Sequence, residues 1–557
     1  MGDIDGNVGR IFDVLEELEM IGVDVAVFPE LTVCGYPPED LVLKPGFVED
    51  CQEAVEKVAA RTSQTAVIFG SVDGGRDIFN TAHLAMNGQV ELTYHKRLLP
   101  NYSVFDERRY FTPGTEPLEL VEIKGVKIGL AICEDIWSPT GPLLEMASGG
   151  AEVVLVPNGS PYRMSKATGR DEMISSRASD NSCAIVYVNQ VGGQDELVFD
   201  GGSVIFDHEG ELVARSPQFR EDVMVADLDV KPAYRKRRLD PRGQDRPTPR
   251  LPVRSLTPHE PIHSPAIKPV LTELLDPLQE VWEALVLGTR DYVRKNGFTS
   301  VGVALSGGID SSIVVALAVD AVGSQNVNAV LMPSRFSSDH SVSDAERLCQ
   351  NLGVDYRTIP IEPAHQSLLE MLAPSFNERE SDTTEENLQS RIRGVVMMAL
   401  SNKLGWLILT TGNKSEVSVG YSTLYGDTAG GFAVIKDVYK TMVYDLCRWR
   451  NEMAGAEIIP EHVINKPPSA ELRPDQRDDQ SLPTYEVLDA ILFDYVEQDL
   501  TATELIAMGH DEATVRRIVR LVDLAEYKRR QNPVGIRVST KAFGRDRRMP
   551  ITNHYRG

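Results

Sequence analysis

Two groups of residues in this chain of 557 have types and settings that suit chemistry. Glu30 follows the apolar run VAVF at 25–28, Lys96 lies in HKRLLPNY at 95–102, and Cys133 follows IGLAI at 128–132. Each ends or follows a strand, and strand ends in an α/β unit can converge on one edge. A carboxylate, an ammonium and a thiol gathered there are groups that nucleophilic catalysis uses. The second group is SGGIDSS at 306–312, between an apolar strand ending at Leu305 and the apolar helical run IVVALAV at 313–319. A strand, a glycine turn and a helix start make an anion site: glycines let backbone N–H groups approach phosphate oxygens, serine hydroxyls add donors, and the helix N-terminus adds partial positive charge. Asp310 stands where it can hold a magnesium ion. An ordinary capped helix start is the alternative, since Asp and Ser are favoured N-caps. The loop lacks the GKS ending of a Walker motif, so cleavage between the β- and γ-phosphates is not implied.

Positioning these groups requires strands. Apolar runs at 25, 66, 128, 153 and 184 alternate with turns and helical patterns, which predicts an α/β unit over 1–230 closing near VMVADLD at 223–229. The stretch 231–268 is rich in proline and arginine without periodicity and reads as a connector. A helix is expected over about 270–296, followed by strands at 301, 328 and 407 separated by long helical segments. That spacing predicts a second α/β domain, 269–557, with parallel crossovers. Past Asp475 the chain reads as short helices and a basic tail.

Composition limits the partners. The chain is 42% hydrophobic and 25% charged, ordinary for a globular protein, and its length exceeds what one core usually supports. Lysine and arginine number 57 against 82 acidic residues, and the net charge of −25 opposes nucleic acid and anionic membranes. Basic clusters at Arg235–Arg238, Lys528–Arg530 and Arg545–Arg548 are read as solvated surface ahead of small-anion sites. Six cysteines, at 34, 51, 133, 183, 349 and 447, form no CxxC pair, which suits a reducing cytoplasm. No run of about 18 apolar residues occurs, so no membrane span is expected.

SGGIDSS resembles the loop of the ATP pyrophosphatase superfamily, whose members adenylate a carboxylate or carbonyl and release pyrophosphate. MPSRFSSDHS at 332–341, EENLQSRIRG at 385–394, TTGNKSEVSVGYSTLYGD at 410–427 and KAFGRDRRMPIT at 541–552 narrow the resemblance to the NAD synthetases. It implies a Rossmann-like, parallel-sheet domain of the adenine-nucleotide α-hydrolase type. It also implies ATP contacts from Leu305, Ser306, Gly307, Gly308, Ile309, Asp310, Ser311, Ser312 and Thr411. Asn387, Glu416 and Lys541 match deamido-NAD positions, and Asp310 and Glu416 are the implied magnesium ligands. The reaction implied is attack of the nicotinate carboxylate of deamido-NAD on the α-phosphorus of ATP, then displacement of AMP by ammonia. Adenylation supplies the leaving group that a carboxylate lacks.

Glu30, Lys96 and Cys133, in that order, resemble the nitrilase superfamily, which implies an αββα sandwich. AICEDIW at 131–137 and KRLLPNYSVFDERRYF at 96–111 resemble the glutaminase domain of glutamine-dependent NAD synthetases. Glu30 is then the base, Cys133 the nucleophile towards the glutamine amide, and Lys96 the oxyanion partner. Glu107 matches the second carboxylate of that superfamily. Tyr102, with Ser160 and Lys166 of NGSPYRMSK at 158–166, matches glutamine-binding positions. The resemblance further implies an internal ammonia route and a homo-oligomer, octameric in the fullest reading. One departure is expected to matter: nitrilase domains open with an apolar strand, and this sequence starts with MGDIDGN, after it. Two other functions fit parts of the pattern. One is an adenylating amidotransferase acting on another carboxylate, such as aspartate or xanthylate. The other is an inactive nucleotide-binding scaffold, which intact Glu30, Lys96, Cys133 and SGGIDSS argue against.

Overall fold

The computed structural model describes residues 1–239, 251–258, 267–377, 379–474, 476 and 478–555. The chain divides into two compact units, Met1–Gly192 with Phe199–Leu275, and Gly193–Val198 with Asp276–Gly557.

In the first unit, β1 (Val25–Val27), β2 (Ala66–Gly74), β3 (Ile78–Met86) and β4 (Gln89–His95) form a sheet in that order. A second, seven-stranded sheet contains β5 (Leu120–Ile123), β6 (Val126–Leu130), β7 (Val153–Asn158) and β8 (Ala184–Asn189), with β6, β7 and β8 parallel. Alternation along β2 explains the layers. Ala66 and Ile68 join Leu120, Leu130 and Val154 in the core between the sheets. Val67 and Phe69 face Val8, Ile11, Ala54 and Val58 of α1 (Ile4–Ile21) and α2 (Pro45–Arg61). Helices α3 (Pro142–Ser148) and α4 (Lys166–Asn181) pack on the second sheet, which completes an αββα sandwich.

Two expectations need correction. VMVADLD at 223–229 forms no strand, because no neighbouring strand supplies a hydrogen-bonding ladder there. Part of the expected connector is structured: Lys231–Leu239 is helical, and Val253–Ser255 pairs in parallel with β5. Within the helix, Lys236 Nζ donates to the His208 carbonyl at 3.0 Å and Arg237 donates to that of Ala151, so this basic cluster is partly structural. Local propensity is weak in this stretch, and tertiary pairing overrides it. The rest of the connector, 240–250 and 259–266, lies outside the described residues.

The second unit carries a five-stranded parallel sheet in the order β11 (Asp355–Thr358), β10 (Val327–Leu331), β9 (Val301–Ala304), β12 (Leu407–Thr410), β13 (Phe432–Ala433). The helix expected from about 270 runs over Pro277–Lys295. Asp276 accepts from the N–H groups of Leu278 and Gln279, both at 3.1 Å, and Pro277 needs no partner in the first turn. Among the described residues no helix is long and apolar enough to cross a membrane.

Candidate active sites

In the first unit β1 and β2 are parallel, and β4 runs the same way because β3 is antiparallel to both its neighbours. Glu30 and Lys96 therefore leave the sheet at one edge, and Cys133 follows β6. Lys96 Nζ donates to Glu30 Oε1 at 2.7 Å and to Glu107 Oε1 at 2.8 Å, with all three side chains buried. Burial and the negative charge of Glu30 push the Cys133 thiol well above its ordinary value. The thiol is thus neutral at rest, and a base must take its proton during reaction. Burial alone would lower Lys96, but Glu107 and Glu30 raise it, so it stays an ammonium.

Cys133 has a φ of 44°, a left-handed conformation that costs a non-glycine residue about 1–3 kcal/mol. Asp135 holds the elbow. Its carboxylate accepts from the Ile132 N–H at 3.0 Å, the Leu98 N–H at 2.8 Å and the Tyr94 hydroxyl at 2.8 Å. The turn bearing Cys133 is thereby tied to the chain just beyond Lys96. Tyr102, about half exposed, donates to Glu134 beside the thiol at 3.0 Å. Lys166 Nζ donates to Ser160 Oγ at 2.8 Å, and the Ser160 N–H donates to Asn189 Oδ1 at 2.9 Å. The sequence reading missed Tyr36, whose hydroxyl donates to Glu107 Oε1 at 2.7 Å, and Asn80, which donates to Glu30. Tyr36 lies six residues after Glu30, in a segment whose only sequence signal was its apolar and turn character.

Burial, against the charge of Lys96, pushes Glu107 up to about 7. Its folded value thus exceeds its unfolded one, and the folded state holds an extra proton between about pH 4.5 and 7. The stability this proton confers is complete below about pH 4.5 and is lost as pH rises through about 7. Glu107→Gln keeps an acceptor for Lys96 and Tyr36 but cannot titrate. Its melting temperature is expected to fall less than that of the parent between those pH values, measured by thermal denaturation. Parallel curves would disprove the assignment.

In the second unit SGGIDSS joins β9 to the helix Ile309–Val322 and lines a cavity of ≈ 270 Å³. Gly307 has a φ of 78°, and a Cβ there would lie 2.1 Å from the Ser341 carbonyl oxygen. Gly307→Ala must displace the loop, and a displacement of about 1 Å typically costs on the order of 10²-fold in rate. Steady-state synthesis with ammonium should show that loss, and a rate within twofold of the parent would refute it. Ser311 and Ser312 are buried, and their hydroxyls donate to the Gly308 carbonyl at 3.0 and 2.8 Å. They brace the first helical turn, while Ser306, Gly308 and Ser311 line the cavity. Leu305 is buried, its N–H donating to the Val330 carbonyl at 3.0 Å.

The opposite wall carries Thr411, Glu416 and Lys440. Lys440 pairs with Asp310 and lies 3.9 Å from Glu416. Asn413 organises both carboxylates: its Nδ2 donates to Asp310 Oδ1 at 2.9 Å, and its Oδ1 accepts the Glu416 N–H at 3.0 Å. Burial and the neighbouring Asp310 raise Glu416 well above the usual carboxylate range, while Asp310 and Glu416 raise Lys440. Arg393 also lines the cavity, where burial lowers its guanidinium to about 10. Lys440, Arg393 and Asn413 were missed, although the N-x-x-E spacing of Asn413 and Glu416 is a capping signal. Asn387 and Lys541 are not among the cavity's lining residues: Asn387 accepts from Thr423 Oγ1 at 2.8 Å, and Lys541 pairs with Asp499.

An amidohydrolase-type thiol centre and a nucleotide-type glycine loop, each on its own α/β unit, define a two-site amide-transferring enzyme. Residues 1–238 match the carbon-nitrogen hydrolase model and residues 281–532 the NAD synthase model. The glutamine-dependent NAD(+) synthetase of Thermotoga maritima is 47% identical, with 100% of this chain and 97% of the relative covered. That of Aquifex aeolicus is 45% identical over 100% of this chain and 98% of its own. The structure of the Acinetobacter baumannii glutamine-dependent NAD+ synthetase in complex with ADP has a TM-score of 0.75 at 40% identity, covering 99% of this chain and 96% of that one. A Cytophaga hutchinsonii structure of the same name, at 22% identity and a TM-score of 0.81 over 99% of this chain and 96% of that one, shares the fold. The chain belongs to the glutamine-dependent NAD(+) synthetases.

Proposed function

We propose that glutamine is hydrolysed at Cys133, and that the ammonia released amidates an acyl adenylate formed from deamido-NAD and ATP in the cavity beside SGGIDSS. The observation that carries the first half is the buried Lys96 bridging Glu30 and Glu107 beside a neutral thiol. Glu30 takes the thiol proton, and Cys133 attacks the amide carbon. The Lys96 ammonium and a backbone N–H meet the oxyanion. Collapse returns the proton to the leaving nitrogen, and water then cleaves the thioester. Tyr102, Ser160 and Lys166 hold glutamine, and Glu107 positions substrate or water.

In the second site, the deamido-NAD carboxylate attacks the α-phosphorus of ATP and pyrophosphate leaves. Ammonia then adds to the acyl carbon and AMP departs. Leu305 to Ser312 and Thr411 hold ATP, while Lys440 and Arg393 offset the accumulating negative charge. Asn387, Glu416 and Lys541 contact deamido-NAD.

Among the described residues no group of three or more His, Cys, Asp or Glu is arranged to hold a metal. Asp310 and Glu416 nonetheless fit magnesium, which needs only one or two carboxylates when phosphate oxygens complete its ligands. Bound there, the ion would neutralise phosphate charge. All six cysteines are free and buried, which supports a reducing, cytoplasmic setting. Exposed Met371 and Val395 on two contacting helices support a homo-oligomer, whose stoichiometry light scattering would read.

The deciding assay supplies deamido-NAD, ATP, magnesium and either glutamine or ammonium, and identifies the product. NAD from both nitrogen donors is expected. Turnover of aspartate or xanthylate in place of deamido-NAD would overturn the reading.

A further inference from the structure

Resting on the reading of Glu30 as the base, we infer that Asn80 is the positioning residue that decides which of two buried carboxylates acts on Cys133. Lys96 does not discriminate between them, since its distances to Glu30 and Glu107 are 2.7 and 2.8 Å. The remaining donors do. Glu30 accepts the Asn80 carboxamide on Oε1 at 2.7 Å and the Gly159 N–H on Oε2 at 2.8 Å. Glu107 accepts only the Tyr36 hydroxyl besides Lys96, both on Oε1, and its buried Oε2 has no partner among the described residues. Donors to a carboxylate favour its charged form, so the proton that two adjoining carboxylates contend for is directed to Glu107. The upward displacement of Glu107 to about 7 agrees with that allocation.

Of the three donors to Glu30, Lys96 is shared and Gly159 contributes backbone. Asn80 is the side chain that favours Glu30 alone. It is buried on β3, and its carbonyl accepts the Lys96 N–H at 2.9 Å, so one residue registers both groups. Its carboxamide nitrogen must face Glu30, because its oxygen would meet a carboxylate oxygen. That orientation leaves Asn80 Oδ1 buried without a partner among the described residues. Among the described residues, Lys96 is the cation paired with Glu30, while Glu107, Cys133, Tyr36 and Glu134 are ionisable groups close enough to feel its charge. Losing one neutral donor in this acidic set moves the proton towards Glu30, and a protonated Glu30 cannot take the thiol proton.

The test is the pH profile of kcat/KM for glutamine in the full chain, with ammonium-dependent synthesis as the loading control. In Asn80→Leu, which keeps volume and removes the donor, the acidic limb is expected to move up by about one pH unit. Asn80→Ala should move it the same way should the larger side chain impair folding. Adding Glu107→Gln to either variant should bring the limb back down, because the second carboxylate charge that opposes ionisation of Glu30 is then gone. A loss of rate uniform across pH, or a limb that the second substitution does not restore, would reduce Asn80 to packing. Glu30→Gln separates the two claims. If it still hydrolyses glutamine, the base assignment fails; if it is inactive while the Asn80 limb stays fixed, only the allocation fails.

Discussion

Cys133→Ala is expected to abolish NAD formation from glutamine while leaving formation from ammonium largely intact. Removing a catalytic nucleophile costs on the order of 10⁶-fold. The substitution is also gentle to the fold: Cys133 is buried, its thiol is neutral, and alanine leaves a small cavity worth about 1 kcal/mol. Lys96 would be a poorer choice. It sits between Glu30 and Glu107, and removing one partner of a buried charge cluster costs about 3–5 kcal/mol, so lost activity could reflect unfolding. Parallel steady-state assays with the two nitrogen donors give the answer. Equal loss with both would sink the division of labour between the units.

Asp310→Ala should do the reverse, removing synthesis from either donor while some glutamine hydrolysis persists. Asp310 pairs with Lys440, accepts from Asn413 and neighbours Glu416, so its loss unsettles the whole wall facing the glycine loop. The buried Lys440 would lose its direct ion pair and keep Glu416 at 3.9 Å. Where phosphoryl chemistry depends on placed charge, losses on the order of 10²–10³-fold are typical for one group. Pyrophosphate release and glutamate release, measured on one preparation, separate the sites. Normal NAD formation at ordinary magnesium would rule out a metal role for Asp310.

How much of this was legible before folding differs by element. Strands at 25, 66, 128, 153, 184, 301, 328 and 407 were readable because each is a short apolar run bounded by turns, and all eight occur. VMVADLD at 223–229 has the same look and is not a strand, because a strand requires a neighbour and composition cannot supply one. Val253–Ser255 is the converse case, three exposed residues held extended by pairing with β5. In the glycine loop, composition showed that phosphate chemistry was possible. It did not show that Ser311 and Ser312 would turn back onto the Gly308 carbonyl, since a hydroxyl's choice between ligand and backbone depends on burial.

By itself the sequence determined the family, because AICEDIW at 131–137, SGGIDSS at 306–312 and the longer motifs around them carry the resemblance without any knowledge of the fold. The tertiary structure decided which side chains serve the two sites. Tyr36, Asn80 and Gly159 reach Glu30 and Glu107 from separate strands and loops, and Lys440 meets Asp310 across 130 residues of chain. Contacts of that span leave no mark on spacing or periodicity. They arise when β strands align their ends.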